Sequence, residues 1–310
     1  MINKEKSLII IVKSDYQLLN AIVSKNIKNE HYKEVIVHYS GYWDNASIVQ
    51  KYAESIGYSF NNDINDIFSD LKGKRLDIIS AKFNPLLKLK FNIDNYTCVD
   101  DGLGSYADFF HLYKAAIREK NSFKIKAFYP CYYFFSKLIY KLKLYEKDHV
   151  YKNNEIDKDY KQCLIELLSE VVDVLNVDVL HEKYHNRPLF CTQPYIELGI
   201  LSEKEYSDFL SKAELYYGEK LLILKHPGDK FFNYDGYDII ECSMFELFIA
   251  KNKDYISSVS SINSTCLLNA SSIFDMKSIS FNNEKTKVLE NNFSKTIRRL
   301  WDKYVFGVIF

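Results

Sequence analysis

The six cysteines of this 310-residue sequence, at 98, 131, 163, 191, 242 and 266, are far apart and form no CxxC pair. That spacing argues against a structural zinc site and a disulfide framework. Several of the thiols sit in apolar runs, as reduced buried cysteines of a reducing compartment do. Net charge is missing as well: Lys plus Arg and Asp plus Glu both number 41. This balance argues against a broad electrostatic nucleic-acid binder and leaves room only for a local basic patch. No stretch approaches the roughly 18 uninterrupted apolar residues of a membrane span. The opening stretch, MINKEKSLIIIVKSDYQLLNAI, has a short apolar run that leads into a polar turn, and it does not read as a signal peptide. The sequence contains no internal repeat, no low-complexity linker, and no GxGxxG, Walker, HExxH or GxSxG signature.

What is present is a globular composition, 47% hydrophobic and 26% charged, with 25 Tyr and 21 Phe. The length suffices for two domains with their own cores. Short apolar runs alternate with longer amphipathic stretches. SLIIIV (7–12), EVIVHY (34–39), RLDIIS (75–80) and YTCVDD (96–101) predict buried strands, with helices over 16–27 and 45–57. Continuous Val, Ile and Leu in strands separated by helices predicts a parallel α/β sheet covered on both faces. The alternation lapses over 108–150, a basic and aromatic stretch in which Lys124, Lys126, Lys137, Lys141 and Lys143 interleave with Phe, Tyr, Leu and Ile. It reads either as a helical insertion packed on its domain or as a surface for an anionic membrane or a second subunit.

A second alternating series follows. Helices are expected over 163–175, 202–218 and 291–306, with Ser202 and Glu205 forming a capping box. A strand followed by a loop is expected over 188–194, strands at 220–227 and 276–282, and strand–helix units over 238–250 and 254–274. Two βα series joined near 155 predict two Rossmann-like domains facing one cleft, the first over 1–155 and the second over 156–310.

Ligands of parallel α/β sheets bind beyond the carboxyl ends of the strands. Four polar clusters fall at such ends. KSDYQLLN, with Ser14 and Gln17, follows the first strand. DDGLGS (100–105) brings Asp100 and Asp101, of which one can accept hydrogen bonds from the structure while the other acts as a general base; Gly102 and Gly104 let the backbone pass close to a ligand. A plain Asp-Gly turn explains the same residues. KHPGD (225–229) places His226 beside Lys225, Pro227 and Gly228, as a cation or hydrogen-bond donor for a phosphate or as an ordinary loop histidine. SSINST (260–265) precedes an apolar helix and forms either a phosphate site or a simple N-cap. DDG is not a DxD metal motif, so no metal is expected.

The order of these motifs resembles the bacterial sialyltransferases, in which an acidic D/E-D/E-G motif is followed by HP and then SS or ST. The resemblance is nearest to the lipooligosaccharide sialyltransferases of glycosyltransferase family fifty-two. It is carried by SDYQLLNAI (14–22), VDDGLGSYADF (99–109), TQPYIELGILSEKEY (192–206), LLILKHPGDK (221–230) and SSVSSINSTCLLNA (257–270). It implies a GT-B-like fold and a metal-independent, inverting transfer of sialic acid from CMP-Neu5Ac, with no cofactor, to a terminal galactose of a bacterial surface glycan. By this resemblance His226 contacts the donor phosphate, and Ser260, Ser261, Ser264 and Thr265 bind phosphate or cytidine. The base is Asp101 by analogy with related families, with Glu197 as the rival. The resemblance also implies a cytoplasmic protein at the inner membrane face, in contact through 111–145, and a domain-swapped homodimer. A CMP-Kdo or other CMP-nonulosonate transferase and a non-catalytic glycan-binding protein are the alternatives.

Overall fold

The structure, a computed structural model, describes residues 6–40, 48–107, 113, 130–131, 133–135, 138, 140–175, 179–180, 182–240, 244–291 and 293–310. The chain divides into two compact units, Met1–Asn153 with Asp157–Leu167, and Asn154–Ile156 with Leu168–Phe310.

The first unit is built on a parallel sheet of β1 (Ser7–Val12), β2 (Glu34–Tyr39), β3 (Ser59–Phe60), β4 (Leu76–Ser80), β5 (Ile93–Val99) and β6 (Glu146–Asp148). Their spatial order is β3-β2-β1-β4-β5-β6. Leu8, Ile9 and Ile10 of β1 are wholly buried, which is what a strand covered on both faces requires. Each such side chain contributes roughly 1.5–3 kcal/mol on burial. Ile9 packs with Ile78 of β4 and Ile93, Tyr96 and Cys98 of β5 in one apolar cluster. The helix Asp15–Lys28 follows β1 directly, capped by the Ser14 hydroxyl and closed by Asn29 in the left-handed conformation at φ 49°.

A short β7 (Tyr151–Lys152) and β8 (Glu155–Ile156) precede the helix Lys158–Leu175. The second unit carries β9 (Arg187–Cys191), β10 (Leu222–Leu224), β11 (Asp238–Ile240), β12 (Ile256–Ser261), β13 (Ser278–Asn282) and β14 (Phe306–Ile309). All pairings are again parallel, in the order β11-β10-β9-β12-β13-β14. Phe190, Ile223, Ile262, Ile279 and Phe281 form its core with Tyr206, Phe209 and Leu210 of the helix Glu203–Tyr217. That helix has the expected capping box between Ser202 and Glu205 and ends at Gly218, φ 70°.

Both sheets therefore have the order 3-2-1-4-5-6 when each is counted from its own first strand. In each, chain direction across the sheet reverses beside the first strand, between β1 and β4 and between β9 and β12. Those reversals are where the loops of a parallel sheet splay apart and leave a crevice.

Several elements lie where the alternation predicts them, and others differ. The predicted strand 96–101 begins earlier, at Ile93, and ends before the two aspartates. The edge strands β3, β6 and β14 and the helices Ile64–Asp70, Pro85–Lys90 and Glu284–Asn291 were not expected. Of the expected 108–150 insertion, Pro130, Cys131, Tyr133–Phe135, Leu138, Tyr140 and Lys141 are helical, and most of 108–139 lies outside the described residues. Among the described residues no helix is long and apolar enough to cross a membrane.

Candidate functional site

In the first unit the strand-end polar residues converge on Asp100 and Asp101. Strand β5 stops at Val99, so both aspartates leave the ladder. Asp100 is wholly buried. Its Oδ1 accepts from the Gly102 amide at 2.7 Å, and its Oδ2 accepts from Val150 N at 3.3 Å and from the Tyr106 hydroxyl. Burial pushes its carboxyl up to about 7, against the pull of these hydrogen bonds. Gly102 sits at φ 74°, a conformation the turn requires and a Cβ would strain.

Asp101 has a different setting. It is half-buried, its amide donates to Ser105 Oγ at 2.7 Å, and its Oδ1 accepts from Gln17 Nε2. Gln17 is itself fixed, because its Oε1 accepts from Lys13 N at 2.8 Å. The expected pair of Ser14 and Gln17 is thus divided. Gln17 reaches the Asp101 carboxylate, whereas the Ser14 hydroxyl accepts from Gln17 N at 3.3 Å as a helix cap. Gly104 opens the short 3-10 turn Gly104–Tyr106 that carries Ser105 and Tyr106 back onto the two aspartates. One oxygen of Asp101 is pinned and the backbone is held, an arrangement that can aim the other oxygen at a substrate hydroxyl.

In the second unit the expected residues gather at the ends of β9, β10 and β12. Thr192 N extends the ladder to Leu224 O at 3.0 Å, and Thr192 Oγ1 accepts from His226 N at 2.8 Å. Gly228 N donates to His226 Nδ1 at 2.9 Å. An Nδ1 that accepts cannot carry a proton, so the ring is neutral with its proton on Nε2. Burial also lowers the ring's pKa, with Asp229 and Glu197 opposing. Of the two forms the sequence allowed, cation or donor, the geometry holds the neutral donor.

The loop after His226 is fastened from behind. Asp229 is buried and accepts from Tyr234, whose hydroxyl also lies 3.2 Å from that of Tyr206. Lys225 Nζ stands 5.7 Å from the centre of the Tyr234 ring, and Pro227 is exposed at the turn. Glu197 Oε1 accepts the amides of Lys230 and Phe231, the latter at 2.8 Å, and Glu197 Oε2 is shut off from solvent and has no partner among the described residues. Burial raises its pKa, but those amides and the Lys225 charge outweigh it and the net direction is down. These contacts make Glu197 a strut of the His226 loop.

The hydroxyl cluster divides as well. Ser260 and Ser261 are wholly buried within β12, and their hydroxyls donate to Leu189 O at 3.1 Å and Cys191 O at 2.6 Å. This differs from the expected phosphate role, because the sheet already takes their protons. Ser264 lies beyond the strand. It caps the helix Thr265–Ser272 through Cys266 N at 3.3 Å and receives Gln193 Nε2 at 3.2 Å. The Gln193–Ser264 bond spans the β9–β12 reversal. Asn263 turns the chain there at φ 51°, held by its Nδ2 on Thr286 O at 3.0 Å. Thr265 opens the helix, whose first amides face the crevice end of the sheet. Sequence reasoning missed Tyr106, Thr192 and Gln193; Thr192 and Gln193 stood inside the quoted TQP stretch and Tyr106 inside DDGLGSYADF.

No family model and no curated protein matches the sequence. Solved structures do match in fold. The GT-B domain of a Photobacterium damselae sialyltransferase is 13% identical, with a TM-score of 0.52 over 97% of this chain and 99% of that one. The UDP-GlcNAc 2-epimerase of Methanocaldococcus jannaschii, in complex with UDP-GlcNAc and UDP, is 13% identical, with a TM-score of 0.52 over 96% of this chain and 92% of that one. The UDP-GlcNAc 2-epimerase of Neisseria meningitidis, bound to UDP-GlcNAc, gives 10% identity and a TM-score of 0.50 over 96% and 90%. With two parallel six-stranded sheets of the same order, the chain has the α/β fold of these GT-B proteins.

Proposed function

We propose that this chain is an inverting, metal-independent sialyltransferase that moves sialic acid from CMP-Neu5Ac to a terminal galactose of a bacterial surface glycan. The observation that carries the reading is His226, held neutral with its donor proton on Nε2 at the end of β10. It follows β10, and β12 of the same sheet leads into the capped helix start Ser264–Thr265 at the β9–β12 reversal. A donor nitrogen and a helix N-terminus suit the phosphate of a nucleotide sugar. The fold is shared with nucleotide-sugar enzymes, and the order of the sequence motifs favours the CMP-sialic acid donor among them.

Asp101 removes the proton of the acceptor hydroxyl as its oxygen bonds to the anomeric carbon. The bond from that carbon to the phosphate oxygen breaks, and CMP leaves with the electron pair. His226 Nε2–H, the Thr265 helix amides and Lys225 stabilise the charge that grows on the phosphate. Glu197 keeps the His226 loop in place and is not the base. The reading includes attachment at the inner membrane face and a homodimer, both through 111–145. Phe134, Phe135, Leu138 and Leu142 of that stretch are exposed apolar residues, and Lys141 and Lys143 are exposed cations beside them.

The test is release of nucleotide by the purified chain in EDTA, with CMP-Neu5Ac, CMP-Kdo and UDP-GlcNAc offered separately, with and without a lactoside. Lactoside-stimulated release from CMP-Neu5Ac alone is the expected result. Release from CMP-Kdo alone would change the donor, and turnover of UDP-GlcNAc without acceptor would favour an epimerase. Donor binding with no turnover would leave a glycan-binding protein.

A further inference from the structure

The carboxyl end of β6 lies beside that of β5, because the two strands pair in parallel with Val99 opposite Asp148. The residue that follows Asp148 is His149, so an imidazole stands next to the Asp100–Asp101 turn. Three contacts tie the two strand ends together. Val150 N donates to Asp100 Oδ2 at 3.3 Å, Tyr151 N donates to the Tyr106 oxygen at 3.0 Å, and the Tyr106 hydroxyl donates to Asp100. The His149 ring packs edge-on against Tyr106, centroids 5.4 Å apart at 75°. It is half-buried, and burial, with Lys147 and Lys152 adding and Asp148 opposing, pushes its pKa down to about 4. A ring so placed is neutral near pH 7, with one nitrogen that donates and one that accepts.

We propose that His149 is an acceptor-contacting residue, a neutral imidazole set at the end of β6 to hydrogen-bond a hydroxyl of the sugar whose proton Asp101 removes. A neutral ring suits a sugar hydroxyl, which both donates and accepts. It also places no cation from this residue beside the Asp101 carboxylate. The Tyr106 contact fixes the ring plane, and the Tyr106–Asp100 bond fixes Tyr106. This assignment rests on the sialyltransferase reading and deepens it, by placing a second acceptor contact in the first unit.

The test uses the full chain with three substitutions. His149→Phe keeps a flat ring against Tyr106 and removes both nitrogens. The acceptor KM for a lactoside rises about tenfold, the loss of one hydrogen bond, while the donor KM moves less than twofold. His149→Gln, which returns an amide near the position of Nε2, recovers part of the loss. His149→Ala adds the packing defect and lowers Tm as well. A His149→Phe enzyme with an acceptor KM within twofold of the parent overturns the proposal and leaves the ring a packing residue.

If the parent chain turns over no CMP donor, the sialyltransferase reading fails and the contact is read by binding. His149 ring resonances, assigned with the Phe variant, are followed by NMR as a lactoside is added. Movement of these signals supports the contact. Signals that stay fixed through lactoside saturation, or an absence of lactoside binding, overturn it.

Discussion

Asp100 and Asp101 are neighbours in the chain with opposite circumstances. Asp100 is sealed by Gly102, Tyr106 and Val150, with a pKa raised to about 7 by burial, whereas Asp101 keeps a half-buried carboxylate fixed by Gln17. An unfolded aspartate titrates at about 3.9. Between that value and about 7 the folded chain holds the Asp100 proton more tightly than the unfolded chain does. The contribution of Asp100 to stability is therefore greatest below pH 4 and declines as pH rises toward 7. Asp100→Asn flattens this part of the Tm–pH curve and costs about 1–3 kcal/mol, because an amide group leaves a buried donor facing a donor. An unchanged slope would deny Asp100 its burial effect. At His226 the geometry makes another prediction. A Cβ on Gly228 would lie 3.2 Å from His226 Nδ1, so the ring must give by tenths of an ångström. Gly228→Ala lowers turnover about tenfold with little change in Tm, and His226→Ala lowers it about 100- to 1,000-fold. The DDG and HPG stretches announced these residues in the sequence. That one aspartate is held by the structure while the other can act was legible there; the groups that hold Asp100, Tyr106 six residues on and Val150 fifty residues on, were not.

The elements with long apolar runs were legible because a strand buried on both faces needs continuous Val, Ile and Leu, as β1 and β4 have. Strands β3, β6 and β14 are two to four residues long at sheet edges, and their partly exposed sequences carry no such run. The SSINST stretch was read as one hydroxyl cluster, but strand β12 extends through Ser261, so its first two serines belong to the sheet and Ser264 to the helix. Alternating burial along a strand could not reveal this, because the strand is buried on both faces. Ser264→Ala removes the cap of the helix Thr265–Ser272 and the acceptor of Gln193. It costs about 1 kcal/mol in denaturant unfolding and raises the donor KM more than the acceptor KM. Equal shifts in both KM values would separate this helix from the donor.

Over the whole molecule the two sheets share one strand order, and alternation of strand and helix makes both series visible in the sequence. The 108–150 stretch was equally visible as a lapse in that alternation, with its role left open between a helical insertion packed on its domain and a surface for a membrane or a second subunit. Deleting 120–145 releases the chain from anionic vesicles or changes its oligomer size in ultracentrifugation; no change in either removes both roles. Ligand linkage reports on the folded whole. CMP at 100 times its Kd stabilises the chain by about 2.7 kcal/mol, seen as a rise in Tm, and UDP at the same concentration does much less.

The most direct test is the product itself. The full chain is incubated in EDTA with CMP-Neu5Ac and a lactoside, and the new glycosidic bond is read by NMR. The account predicts an α-linked sialyl lactoside that is formed by the parent chain and lost in Asp101→Asn and His226→Ala chains that remain folded. Free sialic acid alone, no product, or a product undiminished in either variant would contradict it.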